Sequence, residues 1–177
     1  MEPGKSTFIA IFTKLIKCEK ILIYDSKNDV RTILNLKQNI NKIKCINKEI
    51  EQEEIIKNKF NLMLFENKNL KEEIIKKSDE IILLIEPNLL GIKKAKEILE
   101  RYIDEINISK NKIKIIFNKT TPFSISDLIL GQLFSDFKII GKINFNYKYD
   151  LAINCNLKQI DKEIKKEYLK IIKKIGG

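Results

Sequence analysis

Short runs of mainly apolar residues recur along the chain, and each run ends at a polar or turn-forming residue. Within the runs the apolar residues are continuous rather than alternating, which is typical of strands covered on both faces, as in parallel sheets. The runs predict five strands: KILIYDS at 20–26, NLMLFEN at 61–67, EIILLIEP at 80–87, KIKIIFNK at 112–119 and FKIIGKI at 137–143.

Between these runs, apolar residues recur at the spacing of amphipathic helices. Strand and helix therefore alternate along the chain, and right-handed βαβ units of this kind stack into a doubly wound α/β fold. We expect a mostly parallel sheet with helices on both faces. The predicted helices cover residues 6–17, 68–77, 91–106, 124–134 and 156–175.

The stretch from 27 to 59 is the hardest to interpret, because its many polar residues blur the periodicity. It contains a short predicted strand from Ile43 to Ile46 and a predicted helix around 49–58. The sequence shows no internal repeat and no low-complexity linker. The prediction is therefore a single domain over residues 1–177.

Composition excludes several kinds of site. The chain contains no His, which removes Ser-His-Asp triads, Cys-His pairs and His-ligated metals. Its cysteines, Cys18, Cys45 and Cys155, are odd in number and lack C-x-x-C spacing, so we expect neither a disulfide framework nor a structural zinc site. The sequence has no uncharged apolar run of about 18 residues and no cleavable leader, so we expect a soluble, cytoplasmic protein.

The net charge of +10 raises the question of an anionic partner. The basic residues are lysines apart from Arg31 and Arg101, whereas nucleic-acid readers commonly use arginine forks with interleaved aromatic residues. Lys, Ile and Asn are abundant throughout the chain, which indicates a general compositional bias. Non-specific DNA and an anionic membrane are partners that the charge allows but does not favour.

The tetrapeptide GKST, Gly4 to Thr7, matches the second half of the Walker A motif and opens the first predicted helix. In this motif Gly4 would be the last loop glycine, Lys5 would contact phosphate oxygens and Ser6 would hold Mg²⁺. The first half of the motif would precede the chain, and Pro3 has no backbone N–H to offer a phosphate. The sequence is thus either a shortened reading of a longer protein or a nucleotide site that has decayed.

Nearly the whole chain resembles the ParA/MinD-like ATPases with a deviant Walker A motif, including the TadZ/CpaE pilus-assembly branch. GKST, the helix and KILIYDS resemble the start of that family and place Asp25 on its first aspartate. FNLMLFEN places Glu66 on the Walker B aspartate, and IKIIFNK places Asn118 on the asparagine that contacts adenine. The resemblance implies a P-loop NTPase-like fold whose first strand is missing here, and a site for ATP and Mg²⁺.

The resemblance also assigns roles to these residues. The catalytic residues would be Lys5, Asp25 and Glu66, and the metal ligands would be Ser6, Asp25 and Glu66. The nucleotide would be bound by Gly4, Lys5, Ser6, Thr7 and Asn118.

The sequence departs from the family pattern at residues that would take part in ATP hydrolysis. The family's early signature lysine has no counterpart, and Lys27 occupies the position of the second switch aspartate, where a cation cannot orient water as a carboxylate does. Glu66 is one methylene longer than aspartate, and Mg²⁺ tolerates little error in geometry. The sequence predicts weak ATP binding and doubtful hydrolysis. A start upstream of Met1 would instead predict an active ATPase.

Each site residue also has a structural interpretation that the sequence leaves open. Asp25 follows a strand and could cap the next turn, and Glu66 could be a polar strand exit. Asn118 follows a buried strand, where α/β proteins bind ligands, but turns favour Asn at such places in any case. An α/β interaction module without nucleotide is therefore the alternative to a nucleotide-binding protein.

The last predicted helix has an apolar face opposite a row of lysines. Such a helix could lie on a membrane or pack on a core, and core packing is favoured because the family pattern requires a core helix at this place. The apolar positions of this helix are Leu157, Ile160, Ile164, Leu169, Ile171, Ile172 and Ile175.

We expect a localisation or assembly scaffold whose partner is another protein or a second copy of the chain.

Overall fold

A computed structural model describes most of the chain, and its backbone groups into two compact units. The described residues are 4–25, 27–36, 42–46, 60–66, 72–155 and 157–175. The units are Met1–Lys68 with Tyr147–Lys165, and Asn69–Asn146 with Lys166–Gly177. We describe each unit by itself, and the single domain over residues 1–177 stays a prediction.

Helices and strands alternate through the described residues, as the apolar pattern predicts. A π-helical turn, Arg101–Glu105, continues the helix Leu89–Glu100, and a 3₁₀ turn, Lys110–Lys112, precedes the strand Ile113–Thr120. The elements are α1 (Lys5–Leu15), β1 (Ile21–Tyr24), α2 (Asp29–Ile33), β2 (Ile43–Ile46), β3 (Leu62–Phe65), α3 (Glu72–Lys77), β4 (Ile81–Ile85), α4 (Leu89–Glu100), β5 (Ile113–Thr120), α5 (Asp127–Leu133), β6 (Lys138–Asn144), α6 (Lys148–Asn154) and α7 (Lys162–Ile172).

The first unit contains a three-stranded parallel sheet in the order β2-β1-β3. In the register, Ile21 of the central strand lies opposite Ile43 on one side and Leu62 on the other. Three consecutive residues of β1, Ile21 to Ile23, are buried, so both faces of this strand are covered. Helix α1, which is buried from Thr7 to Thr13, packs against α2.

The second unit contains a three-stranded parallel sheet in the order β4-β5-β6. On one face, Ile115 and Phe117 of the central strand join a core cluster with residues of α4 and α5. On the other face, Ile116 lies opposite Gly141, and a Cβ added at Gly141 would come within 2.5 Å of the Ile171 side chain of α7. Helices therefore cover both faces of this sheet, and the prediction is confirmed here.

A buried lysine lies on the face of this sheet that α7 covers. Lys114 points to the same side of β5 as Ile116 and is almost fully buried. Its Nζ donates to a carboxylate oxygen of Glu80, at the start of β4, and to the carbonyl oxygen of Lys174, 3.3 Å away. The ion pair compensates a charge that would otherwise be costly to bury.

The predicted strands are confirmed, including the short one at 43–46, whereas the helices agree less well. The predicted helix around 49–58 lies outside the described residues. The prediction of one helix over 156–175 is wrong at its start, because α7 begins at Lys162. Leu157 has a left-handed φ of 54°, and its N–H donates to the carbonyl of Ala152, which turns the chain back onto the end of α6.

The apolar residues at helical spacing in the last helix are buried. Ile164, Tyr168 and Ile171 recur at helical spacing and are all buried. Lys165 and Lys166, between them, are exposed. This burial agrees with the core-packing interpretation of the helix.

Gly91 lies in the first turn of α4, against the end of β4. A Cβ built there would lie 2.1 Å from the carbonyl oxygen of Glu86, so the backbone would have to move. Gly91→Ala is expected to lower the free energy of unfolding by about 1–3 kcal/mol in urea denaturation. Gly131 in α5 is the matched control, because a Cβ there meets no atom within 4 Å, and Gly131→Ala should raise stability by about 0.5–1 kcal/mol. Equal effects of the two substitutions would contradict the close approach.

Candidate nucleotide site

The candidate site lies at the carboxyl edge of the first sheet. Tyr24 of β1 pairs with Phe65 of β3, so Asp25 and Glu66 follow paired positions on neighbouring strands. The N–H of Glu66 donates to the carbonyl of Tyr24 at 3.3 Å, which keeps the two strand ends side by side. In parallel sheets this edge is the usual place for ligand binding.

The structure brings Ser6 and Glu66 together across 60 residues of sequence. The Ser6 hydroxyl donates to the Glu66 carboxylate, with Oγ 3.1 Å from one carboxylate oxygen and 3.0 Å from the other. Glu66 is only 5% exposed, so its carboxyl group lies in a largely water-excluded place. A hydroxyl beside a buried carboxylate is a pair of oxygen ligands of the kind that Mg²⁺ prefers.

The amino end of α1 completes the site. The N-cap residue, Gly4, provides no side-chain cap, and the first turn contains no acidic residue. The first N–H groups of the helix are therefore left for another acceptor, and the helix dipole favours an anion there. Lys5 is exposed in this turn, Ser6 is half-buried, and Thr7 is buried.

Asp25 has a structural partner in the chain itself. Its carboxylate accepts the N–H of Asp29 at 3.1 Å and the N–H of Arg31 at 2.9 Å, and the residue is 1% exposed. These bonds satisfy the amino end of α2 and place a negative charge at the positive end of its dipole. The geometry thus agrees with the capping interpretation, and a metal or switch role for Asp25 stays a prediction. Lys27, in the same loop, is exposed.

Cys45 lies in β2 beside this edge and is buried. The pKa of its thiol is raised to about 11, chiefly by burial and also by the nearby Asp25 carboxylate, while Arg31 lowers it. The thiol therefore stays protonated at neutral pH and is a poor nucleophile.

Asn118 belongs to the second unit, near the end of β5, and is half-buried. Its role as an adenine contact stays a prediction. The next residue, Lys119, has a left-handed φ of 57° at an irregularity in the pairing with β6. Its Nζ lies 2.6 Å from a carboxylate oxygen of Glu86. Sequence reasoning missed this ion pair, although Glu86 directly follows the apolar strand β4.

The residues present fit Mg²⁺ with a nucleotide rather than a metal held by protein alone. Among the described residues, no group of three or more His, Cys, Asp or Glu side chains could hold a metal ion. Mg²⁺ commonly uses one or two protein oxygens and takes its other ligands from phosphate and water. Ser6 and Glu66 would hold the ion, and Lys5 with the first turn of α1 would hold phosphate.

No helix in the described part of the chain has the length and apolar content needed to cross a membrane.

No family model matches the chain, and no curated protein matches it. Among solved structures, the MinD cell division protein of Aquifex aeolicus aligns with a TM-score of 0.76 at 14% identity, over 97% of this chain and 91% of that chain. A chain of the MinC:MinD cell division protein complex of Aquifex aeolicus aligns with a TM-score of 0.78 at 12% identity, over 97% and 90%.

ParA proteins align as well. A ParA family ATPase of Chlorobium tepidum TLS has a TM-score of 0.66 at 13% identity, over 95% of this chain and 92% of that chain. A plasmid partition protein of Borrelia burgdorferi B31, solved with bound AMPPNP, has a TM-score of 0.68 at 14% identity, over 95% and 90%. The protein therefore has the α/β fold of the MinD and ParA family ATPases.

Proposed function

We propose that the chain is a cytoplasmic ParA/MinD-like nucleotide-binding protein that holds Mg–ATP or ADP weakly, turns ATP over poorly, and acts as a localisation or assembly scaffold. The observation that carries the proposal is the contact between the Ser6 hydroxyl and the buried Glu66 carboxylate at the amino end of α1. P-loop proteins use a hydroxyl and a carboxylate for Mg²⁺, and a contact between two such groups supports the proposal.

Bound Mg²⁺ would neutralise charge on the phosphates. The chain's own residues then have distinct roles. Lys5 would contact phosphate oxygens as a point charge, and the N–H groups of the first turn of α1 would donate to the same group. Ser6 and Glu66 would orient the ion, and the burial of Glu66 would keep water away from one side of it.

Three features at the carboxyl edge of the first sheet support slow hydrolysis of ATP. Glu66 is longer than the aspartate of the family pattern, and Lys27 presents a cation where a carboxylate would orient water. Both carboxylate oxygens of Asp25 already accept backbone N–H groups of α2. A carboxylate held in this way is less free to bind a metal or a water molecule.

The scaffold role implies a protein partner or a second copy of the chain. The MinC:MinD complex is a precedent for a protein partner on this fold. The engaged carboxylate of Asp25 supports the alternative, an α/β interaction module that has kept the fold without nucleotide.

Mg²⁺ dependence tests the proposal. We expect Mg²⁺ to strengthen ATP binding to the wild type, and Ser6→Ala or Glu66→Gln to reduce that Mg²⁺ effect by about tenfold, because each removes one oxygen ligand or its charge. The measurement is equilibrium binding of ATP with Mg²⁺ or with EDTA, together with phosphate release, which should stay near background.

Ser109→Ala, at an exposed serine of the second unit, is the control and should bind as the wild type does. Affinity that ignores Mg²⁺ in all variants would contradict a metal role for this pair. Phosphate release that depends on the protein and is lost in Lys5→Ala would contradict poor turnover.

A further inference from the structure

Six large apolar side chains of the second unit are exposed to water, in the first turn of α4, in the turn before α5 and along α5. The most exposed are Phe123 at 96%, Leu89 at 80%, Leu128 at 73% and Leu90 at 72%. Large exposed apolar side chains that group together on a protein surface commonly serve in binding. We call this group the apolar surface, and its members are Leu89, Leu90, Phe123, Leu128, Ile129 and Leu133.

A hydrogen-bonded turn holds Phe123 out in solvent. The N–H of Ser124 donates to the carbonyl of Thr121 at 3.0 Å, and the Ser124 hydroxyl accepts the N–H of Thr121 at 2.9 Å. Pro122 occupies the second position of this turn, where its fixed φ suits the conformation. The backbone conformation of this turn therefore keeps the Phe123 ring exposed to solvent.

The other parts of the apolar surface are fixed beside this turn. The N–H of Ile125 donates to the carbonyl of Pro87 at 3.0 Å, which joins the loop before α5 to the loop before α4. The Asn88 side chain caps α4 by accepting the N–H of Gly91 at 2.8 Å. The first turn of α4, with Leu89 and Leu90, therefore lies next to Phe123 and the start of α5.

Two exposed lysines follow the apolar surface along α4. Lys93 and Lys94 lie one helical turn after Leu89 and Leu90 and are exposed. In the described part of the chain, neither lysine has a carboxylate within ion-pair distance, whereas the nearby carboxylates of Glu86 and Asp127 pair with Lys119 and Lys142. Protruding apolar side chains with lysines one helical turn further on are complementary to a partner that has an apolar interior and anionic groups on its outside.

We propose that the apolar surface is a peripheral contact for an anionic phospholipid membrane. The four most exposed side chains protrude, and a fluid bilayer accepts protruding groups without a matching pocket, while lysines at the level of the phosphates add about 1 kcal/mol each. A second copy that docked through the same surface would bring the same lysines to it, and this like charge opposes self-association at this surface. The contact is distant in sequence from α7, whose apolar face is buried, and it needs no nucleotide.

The test is co-sedimentation of the full chain with phosphatidylglycerol vesicles and with phosphatidylcholine vesicles, in the absence of nucleotide. We expect binding to the anionic vesicles, and a loss of at least about tenfold in the partition coefficient for Phe123→Ser combined with Leu90→Ser. Because both residues are exposed, the variant should keep the thermal midpoint of the wild type. Ile98→Ser, at a less exposed apolar residue two turns along α4, is the matched control.

Two pairs of charge-reversal variants distinguish a contact at this surface from general electrostatic attraction between the basic protein and anionic vesicles. Lys93→Glu with Lys94→Glu should lower the partition coefficient at least about tenfold, and more than Lys165→Glu with Lys166→Glu, which changes the net charge equally on α7. No binding to anionic vesicles, or equal loss in the two charge variants, would overturn the proposal. A self-association that Phe123→Ser abolishes, without vesicle binding, would also overturn it and assign the surface to a second copy.

Discussion

Replacing Lys5 with alanine is expected to weaken ATP binding in the presence of Mg²⁺ by about tenfold to a hundredfold. The ammonium of Lys5 would form charge-assisted hydrogen bonds with phosphate oxygens, and such bonds contribute about 1.5–3 kcal/mol each. The residue is exposed in the first turn of α1, so its loss should leave the fold intact. Competition by ATP for a bound fluorescent nucleotide measures the change in affinity directly.

Lys14→Ala is the matched control for this experiment. Lys14 is also exposed and lies in the last turn of the same helix, so its removal changes the net charge equally. A general attraction between ATP and a basic protein would weaken equally in both variants. Equal losses would therefore contradict a specific phosphate contact at Lys5.

Glu80→Ala is expected to lower the free energy of unfolding by about 3 kcal/mol, the lower end of the cost of breaking a buried ion pair. The Lys114 side chain is 5% exposed and donates to Glu80, so the substitution leaves an ammonium buried without its carboxylate. We place the effect at the lower end because Glu80 itself is partly exposed. Chemical denaturation, with the slope checked against the wild type, gives the value.

Lys114→Met separates the burial of a charge from the loss of packing. Methionine has a similar length and no charge, and a buried ion pair replaced by apolar groups is often neutral in stability. Lys114→Met combined with Glu80→Ala should therefore be more stable than Glu80→Ala alone. A double variant that is less stable than both single variants would contradict this view of the pair.

The strands could be predicted because their apolar runs are continuous. In β5, five successive residues from Ile113 to Phe117 are buried, and four of them are apolar. The strand can therefore be predicted without knowing which strands lie beside it. Even the short strand from Ile43 to Ile46, within a polar stretch, was predictable from its local pattern.

The short helices could not be predicted in the same way, because contacts distant in sequence or single hydrogen bonds decide them. Helix α2 has five residues, and its amino end is satisfied by the carboxylate of Asp25. The break before α7 depends on the left-handed Leu157, a conformation that leucine rarely adopts. Lys148 also pairs with Asp161 across this connection at 2.8 Å.

The candidate site was predictable only in part. The family resemblance identified Ser6 and Glu66 as metal ligands, and the structure places them in contact. It also identified Asp25, but the sequence left a cap and a metal role equally open. Nothing in a lysine-rich chain marks Lys114 as a buried residue except the apolar residues on both sides of it.

Calorimetric titration of ATP into the wild-type chain, with and without Mg²⁺, tests the central claim most directly. We predict saturable binding of one nucleotide per chain that Mg²⁺ strengthens, because Ser6, Glu66 and the amino end of α1 form a site for both. A folded protein that shows no saturable heat at millimolar ATP would contradict the claim. The chain would then be an interaction module that shares the fold of these ATPases without their ligand.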